Sequence, residues 1–274
     1  MKQVILFAFF FTFSFINAQV NCLIYPENSD ERKSCEITNE ALTYEQGSKK
    51  SQMLLDKAIL LNPKNDFALK EKSVPFLKRG FILEGMEILN KAVEANPRDN
   101  LDYRAYWFFA LGNYKMCVED LERYYALPNA FPYIYTSGGD MDMRLLLAMS
   151  YAKLNQNKKG LDVMKKYVDS YEDTSDIGNL DYYVLGMLYY KNGEFENAIN
   201  AIEKQMAILP NKYGNYYYAA LSHKALGNTE KAKEILKDAM SKFSKPDYYS
   251  LINYNCFKVY FEDLENEYNL LVKE

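Results

Sequence analysis

The chain holds one histidine, His223, and four cysteines, Cys22, Cys35, Cys117 and Cys256. An imidazole is the side chain best suited to moving protons near neutral pH. A Ser-His-Asp relay or a metal site needs partners in fixed spacing, and there is no second histidine to complete a metal set. Catalysis by His223 would require the stretch Pro128 to Asp140 to bring acids beside it. The acidic run Asp169, Glu172, Asp173 and Asp176 lacks the alternation and the glycine of a calcium loop, so solvated acids are expected there. Asp140 and Asp142, after Gly138-Gly139, offer no better set. No P-loop and no GxGxxG occurs. No CxxC pair occurs, which removes zinc-ribbon and thioredoxin-like readings. A net charge of −4 gives nucleic acid little electrostatic reason to bind. These patterns point to no enzyme, no cofactor and no metal.

Cys22 and Cys35 stand 13 positions apart, and in an oxidising compartment they are well placed to pair and pin the N-terminal segment, residues 19–31, onto the start of the folded body. A loop of that length contributes ~3 kcal/mol in the chain-entropy description. Cys117 and Cys256 read as packed thiols. Residues 1–18, MKQVILFAFFFTFSFINA, carry Lys2, an apolar run from Val4 to Ile16, and Ile16-Asn17-Ala18 as a cleavage site before Gln19. The run is short for a bilayer, so the expectation is a signal peptide and no stable membrane span. Export to a bacterial periplasm or medium is then expected. Lipidation at Cys22 is the lesser alternative, because Gln19-Val20-Asn21 makes a poor lipobox.

What would position all of these side chains is a repeat. The stretch Asp181 to Pro210, DYYVLGMLYYKNGEFENAINAIEKQMAILP, reads as two helices and a tight turn. Gly186 and Ala198 are small where antiparallel helices must approach, and Tyr189 and Ile202 fill the space around them. Gly193 allows the turn, and Pro210 cannot continue the second helix. A shift of about 34 residues places Ala220, Gly227, Ala232 and Leu236 in the same roles. Earlier copies carry Ala148, Tyr151, Asn155, Gly160 and Met164, then Ala105, Phe108, Gly112, Cys117 and Leu121. Two more carry Ser73, Phe76, Gly80, Gly85, Leu89 and Pro97, and Asn39, Leu42, Ser51, Leu55 and Pro63. The small position of the second helix therefore reads Ser51, Gly85, Cys117, Gly160, Ala198 and Ala232. The order large-Leu-small, aromatic, Gly, Ala, bulky apolar, Pro resembles the tetratricopeptide repeat.

That resemblance implies an all-α fold: a right-handed α-solenoid of about six helical hairpins, residues 32–246, in units near 32–65, 66–97, 98–130, 141–174, 179–212 and 213–246. Residues 247–274 come after it, with Phe257, Tyr260, Phe261, Leu264, Tyr268 and Leu271 at helical spacing, as expected of a capping helix that covers the last repeat. Pro75 falls inside a first helix, where a kink or break is expected. Two connections exceed the repeat rhythm, Pro128 to Asp140 and Asp169 to Leu180. Tyrosine, 25 of 274 residues, is expected to fill helix interfaces.

The resemblance also implies a concave surface made by first helices. In this chain it would carry Tyr106, Phe109, Ala110, Met149, Ala152, Lys153, Tyr183, Met187, Tyr190, Lys191, Tyr217, Leu221, Lys224 and Ala225. Aromatic rings, thioethers and spaced lysines suit a peptide or a protein segment. The alternative for some of these residues is contact with the neighbouring repeat. A carboxylate-clamp groove is not expected, since Val74 stands where its first asparagine would fall. His223 falls where other copies have Tyr189, Tyr151 and Phe108, a packing position. The function expected is an exported protein-binding scaffold. The alternative is a structural subunit of an envelope or secretion assembly, touching its partners through loops and edges such as Tyr133 and Tyr135. The sequence pattern selects no oligomeric state.

Overall fold

The structure is a computed structural model that describes residues 20–136, 138–139, 141–173, 177–209, 213–242 and 257–273. The expected signal peptide, Asp140, Asp176, Pro210 and Cys256 lie outside the described residues. Among those described there are thirteen α-helices, one 3₁₀ turn at Cys22–Ile24 and no strand. The chain divides into two compact units, Met1–Ala95 and Asn96–Glu274.

The first unit holds α1 (Asp30–Ala41), α2 (Lys49–Leu61), α3 (Asp66–Lys78) and α4 (Ile82–Ala95). α1 pairs with α2, and α3 with α4. Ala41, Leu54, Leu55, Ala58 and Ala68 form a buried cluster with Ile37 and Ile59 against it. Asn65 joins the two hairpins: its carbonyl caps α3, while its amide donates to Ser34 Oγ at 2.9 Å and Thr38 Oγ1 at 3.1 Å. Cys22 and Cys35 are joined by a disulfide, with Cα atoms 5.6 Å apart. The Asn39 amide holds the Val20 carbonyl at 2.8 Å, so the segment entering α1 is tied down twice. Pro75 does not break its helix. It lies in the last turn of α3, which runs on to Lys78, and it is buried. Its ring removes the N–H that would donate to the carbonyl of residue 71, and the helix ends three residues later.

The second unit holds α5 (Pro97–Ala110), α6 (Tyr114–Tyr125), α7 (Met143–Lys153), α8 (Asn157–Val168), α9 (Asp181–Lys191), α10 (Phe195–Ile208), α11 (Tyr213–Ala225), α12 (Thr229–Lys242) and α13 (Phe261–Lys273). Successive helices pair as hairpins, and the first helices α5, α7, α9 and α11 also lie side by side. Three of these helices, α5, α6 and α7, start with side-chain caps: Asn96, Asn113 and Asp142 accept from N–H groups of the first turn, as Ser29, Ser48 and Asn65 do in the first unit. Hairpin turns need a left-handed residue, supplied by Gly193 at φ 79° and, in the copy without glycine, by Asn155 at φ 58°.

All six small second-helix positions are buried. The reason is distance. A Cβ on Gly85 would stand 2.7 Å from Leu77 Cδ2, and one on Gly160 would stand 2.8 Å from the Ala148 carbonyl oxygen. Tyrosines do fill interfaces: Tyr124, Tyr151, Tyr167, Tyr183, Tyr216 and Tyr218 are all buried. Arg104 and Asp120 form a two-pronged pair at 2.7 Å and 2.7 Å across the α5–α6 hairpin, nearly closed to solvent.

Candidate functional site

The side-by-side first helices of the second unit decide where the expected groove residues go. Phe109, Met149, Tyr183 and Met187 are buried, along with Ala152. This corrects the expectation that they line an open surface: at those positions the adjacent repeat is close enough to cover them. Tyr106, Tyr190, Tyr217, Leu221 and Lys224 are half-buried, and Ala110, Lys153, Lys191 and Ala225 are exposed. Tyr106 stacks with Tyr103 at 6.4 Å and meets Trp107 edge-on, so α5 presents an aromatic group of its own.

On α7, α9 and α11 the half-buried and exposed side chains converge on the chain's own C-terminal segment. Tyr183 Oη donates to the Phe257 carbonyl at 2.6 Å. Lys153 Nζ lies 4.6 Å from the centroid of the Phe257 ring, and Lys191 Nζ lies 5.3 Å from it. Lys224 Nζ pairs with Glu267 at 2.8 Å, both partly shielded from water. Tyr190 packs against Phe195 and Tyr218, and Tyr217 against Tyr218. Burial first, and then the Glu267 carboxylate, hold the phenols of Tyr190 and Tyr217 above their ordinary value. Both rings therefore stay neutral beside that carboxylate.

α13 itself packs on α12 and α11. Leu264 and Leu271 are buried in a cluster with Tyr216, Ala220, Ala232, Leu236 and Ala239. The same segment thus covers the apolar edge of the last hairpin and lays Phe257 on the first-helix face. The second contact has no periodic signal in the sequence. Only the pairing of an aromatic residue before the helix with a carboxylate inside it hints at it.

The expected chemical residues fall elsewhere. His223 lies in a shallow recess with Gly227, Asn228, Thr229, Glu230 and Lys231, all from its own hairpin. Burial, and then the charge of Lys231, push its pKa down. Asp142 caps α7 and takes both prongs of Arg144 at 2.8 Å. Asp169 is the residue that ends α8. No group of three or more His, Cys, Asp or Glu able to hold a metal occurs among the described residues. None of their helices is long and apolar enough to cross a membrane.

Paired helices repeated in register, with small residues at the crossings, define an all-α helical-repeat solenoid, a class that works by presenting surface to other proteins. Within that class the chain is a tetratricopeptide repeat protein: models of this repeat match residues 182–211 and residues 142–174 and 215–245. Its fold is similar to that of YrrB, described as a TPR protein with an unusual peptide-binding site, at TM-score 0.56 and 17% identity over 68% of this chain and 91% of that one. It is also similar to PilF of Pseudomonas aeruginosa, at TM-score 0.55 and 13% identity over 83% and 97% of the two chains. PilW, described as a type IV pilus biogenesis factor, matches at TM-score 0.54 and 14% identity over 81% and 96%. No curated protein matches the sequence. The repeats make this a protein–protein interaction module, and the fold is typically a non-enzymatic scaffold.

Proposed function

We propose that the protein is an exported interaction scaffold whose first-helix face on α7 and α9 holds a partner segment bearing an aromatic side chain. The observation that carries this reading is the grip on Phe257: two lysines over one ring and a tyrosine hydroxyl on its carbonyl. Each lysine–ring contact is worth about 0.5–1 kcal/mol at a site this open. Those contacts are independent of the buried leucines that seat α13, so a competing segment can take the face without dismantling the last hairpin. YrrB, a relative in fold, has a peptide-binding site, which agrees with this use of the architecture. Export is supported by the apolar run at residues 4–16 and by a disulfide, which persists in oxidising compartments.

The test is a calorimetric titration. A synthetic peptide copying residues 253–262, with serine in place of Cys256, is added to the chain carrying Phe257→Ala. Saturable binding is expected there, weaker binding to the unaltered chain, and loss of binding when Lys153→Ala and Lys191→Ala are added. Equal binding with and without the two lysines would remove the face from the proposal. A second reading, in which partners meet the loops at the edge of the array, is favoured by the contact between the two long connections.

A further inference from the structure

The two connections that exceed the repeat rhythm meet each other. One leaves α6 and the other leaves α8, so they start from the same ends of successive second helices, one repeat apart. The first turns back on itself. The Thr136 N–H donates to the Met141 carbonyl at 2.9 Å, the Met143 N–H to the Ile134 carbonyl at 2.9 Å, and Tyr135 bridges to Asp142. Extended backbone sends alternate side chains to opposite sides. Ile134 and Thr136 accordingly point inward and are buried, while Tyr133 and Tyr135 point outward, about half exposed. These two rings face Tyr167, Ser170, Tyr171 and Glu172 across a cavity of about 260 Å³.

The walls of that cavity are tyrosine, and their faces already accept a positive charge. The Arg144 guanidinium carbon lies 4.2 Å from the Tyr167 centroid and 4.9 Å from the Tyr133 centroid. That internal cation is matched by the buried carboxylate of Asp142. Tyr167 and Tyr171 meet edge to face at 5.2 Å, and Tyr171 is fixed in turn by its hydroxyl on Asp181. Glu172 then brings a further carboxylate to the rim, between Asp169 and Asp173 in the chain. Electron-rich ring faces with an added carboxylate attract an organic cation and repel a phosphate or a carboxylate.

We propose that the tyrosine pocket formed by residues 133–135 and 167–172 is a receptor site for the lysine or arginine side chain of a partner protein. The pocket opens at the loop edge of the array, where Tyr133, Tyr135 and Glu172 are exposed to an approaching surface. Its volume takes an ammonium or guanidinium head with the end of its stem. This site is separate from the first-helix face and does not depend on it.

The experiment uses the chain labelled with ¹³C in its tyrosine rings and follows the ring resonances by NMR. The probes are Nα-acetyl-arginine methylamide and Nα-acetyl-lysine methylamide, with the neutral Nα-acetyl-citrulline methylamide, tetramethylammonium and glucose as comparisons. The two cationic side chains are expected to shift the Tyr133 and Tyr135 signals saturably, and the citrulline isostere to leave them in place. Tyr135→Ala is expected to weaken the cations about fivefold to tenfold and Glu172→Gln about threefold, with the Tyr190 and Tyr217 signals unchanged. No shift from either cation, an equal response to citrulline, or a response to glucose alone would overturn the proposal. Tighter binding of tetramethylammonium than of both side-chain probes would overturn the assignment to a protein side chain.

Discussion

Two helical glycines, Gly160 and Gly186, let the helices of their hairpins touch, and their replacement by alanine is expected to differ in a definite order. Any Gly→Ala change inside a helix contributes about 1 kcal/mol of propensity. Against that stands the new methyl. At Gly186 it would meet Ile202 Cδ1 at 2.7 Å and Cγ1 at 2.8 Å, where carbon atoms prefer about 3.5–4.0 Å. Ile202 is buried and cannot swing out, yet its side chain can turn within the core, so a cost of about 1–2 kcal/mol is expected. At Gly160 the methyl would meet the Ala148 carbonyl oxygen at 2.8 Å, and that atom belongs to the backbone of α7. The helices must separate, which places the cost near the upper end, about 3 kcal/mol. Net of propensity, Gly186→Ala loses about 0–1 kcal/mol and Gly160→Ala about 2 kcal/mol. In a body of this size that corresponds to Tm falling by about 4–8 °C for Gly160→Ala and at most half of that for Gly186→Ala. Thermal unfolding followed by circular dichroism reads both. A Gly160→Ala chain as stable as the parent, or less affected than Gly186→Ala, would refute the reasoning that close backbone approach sets these positions.

Three further outcomes are expected. Asp120→Ala removes both prongs of the ion pair from the Arg104 guanidinium between α5 and α6 and lowers stability by about 3 kcal/mol, read by urea unfolding. Reducing the Cys22–Cys35 disulfide weakens the first unit by up to ~3 kcal/mol, read as lost amide protection in α1 by hydrogen exchange. His223 has its folded pKa pushed below the ordinary 6.5, so the neutral form is the one the fold favours. Its contribution is complete above that value and is lost as pH falls below it, and His223→Gln flattens the stability profile in that window.

The hairpins are readable in the sequence because each depends on local features: a 3.6-residue apolar period, a small residue at the crossing, and a left-handed turn residue. Asn155 reads as a turn because asparagine tolerates the conformation that glycine adopts in the other copies. The depth of the groove is not readable. Met149 and Met187 occupy the same repeat positions as surface residues do, and only the spacing between adjacent first helices decides that they are covered. The Phe257 contact escapes a reading of the sequence because it joins residues more than seventy positions apart and leaves no period. The tyrosine pocket has a signal that is present but unconnected. Both long connections come after second helices, and consecutive repeats bring such ends together at one edge.

The most direct test of the groove reading places a benzoylphenylalanine photo-cross-linker at position 257. Intramolecular cross-links to α7 and α9 are expected, in the peptides that contain Lys153 and Tyr183 to Lys191. These are expected to fall when the peptide copying residues 253–262 is present in excess. Cross-links to other helices, or a yield unchanged by a peptide that demonstrably binds, would contradict the groove reading.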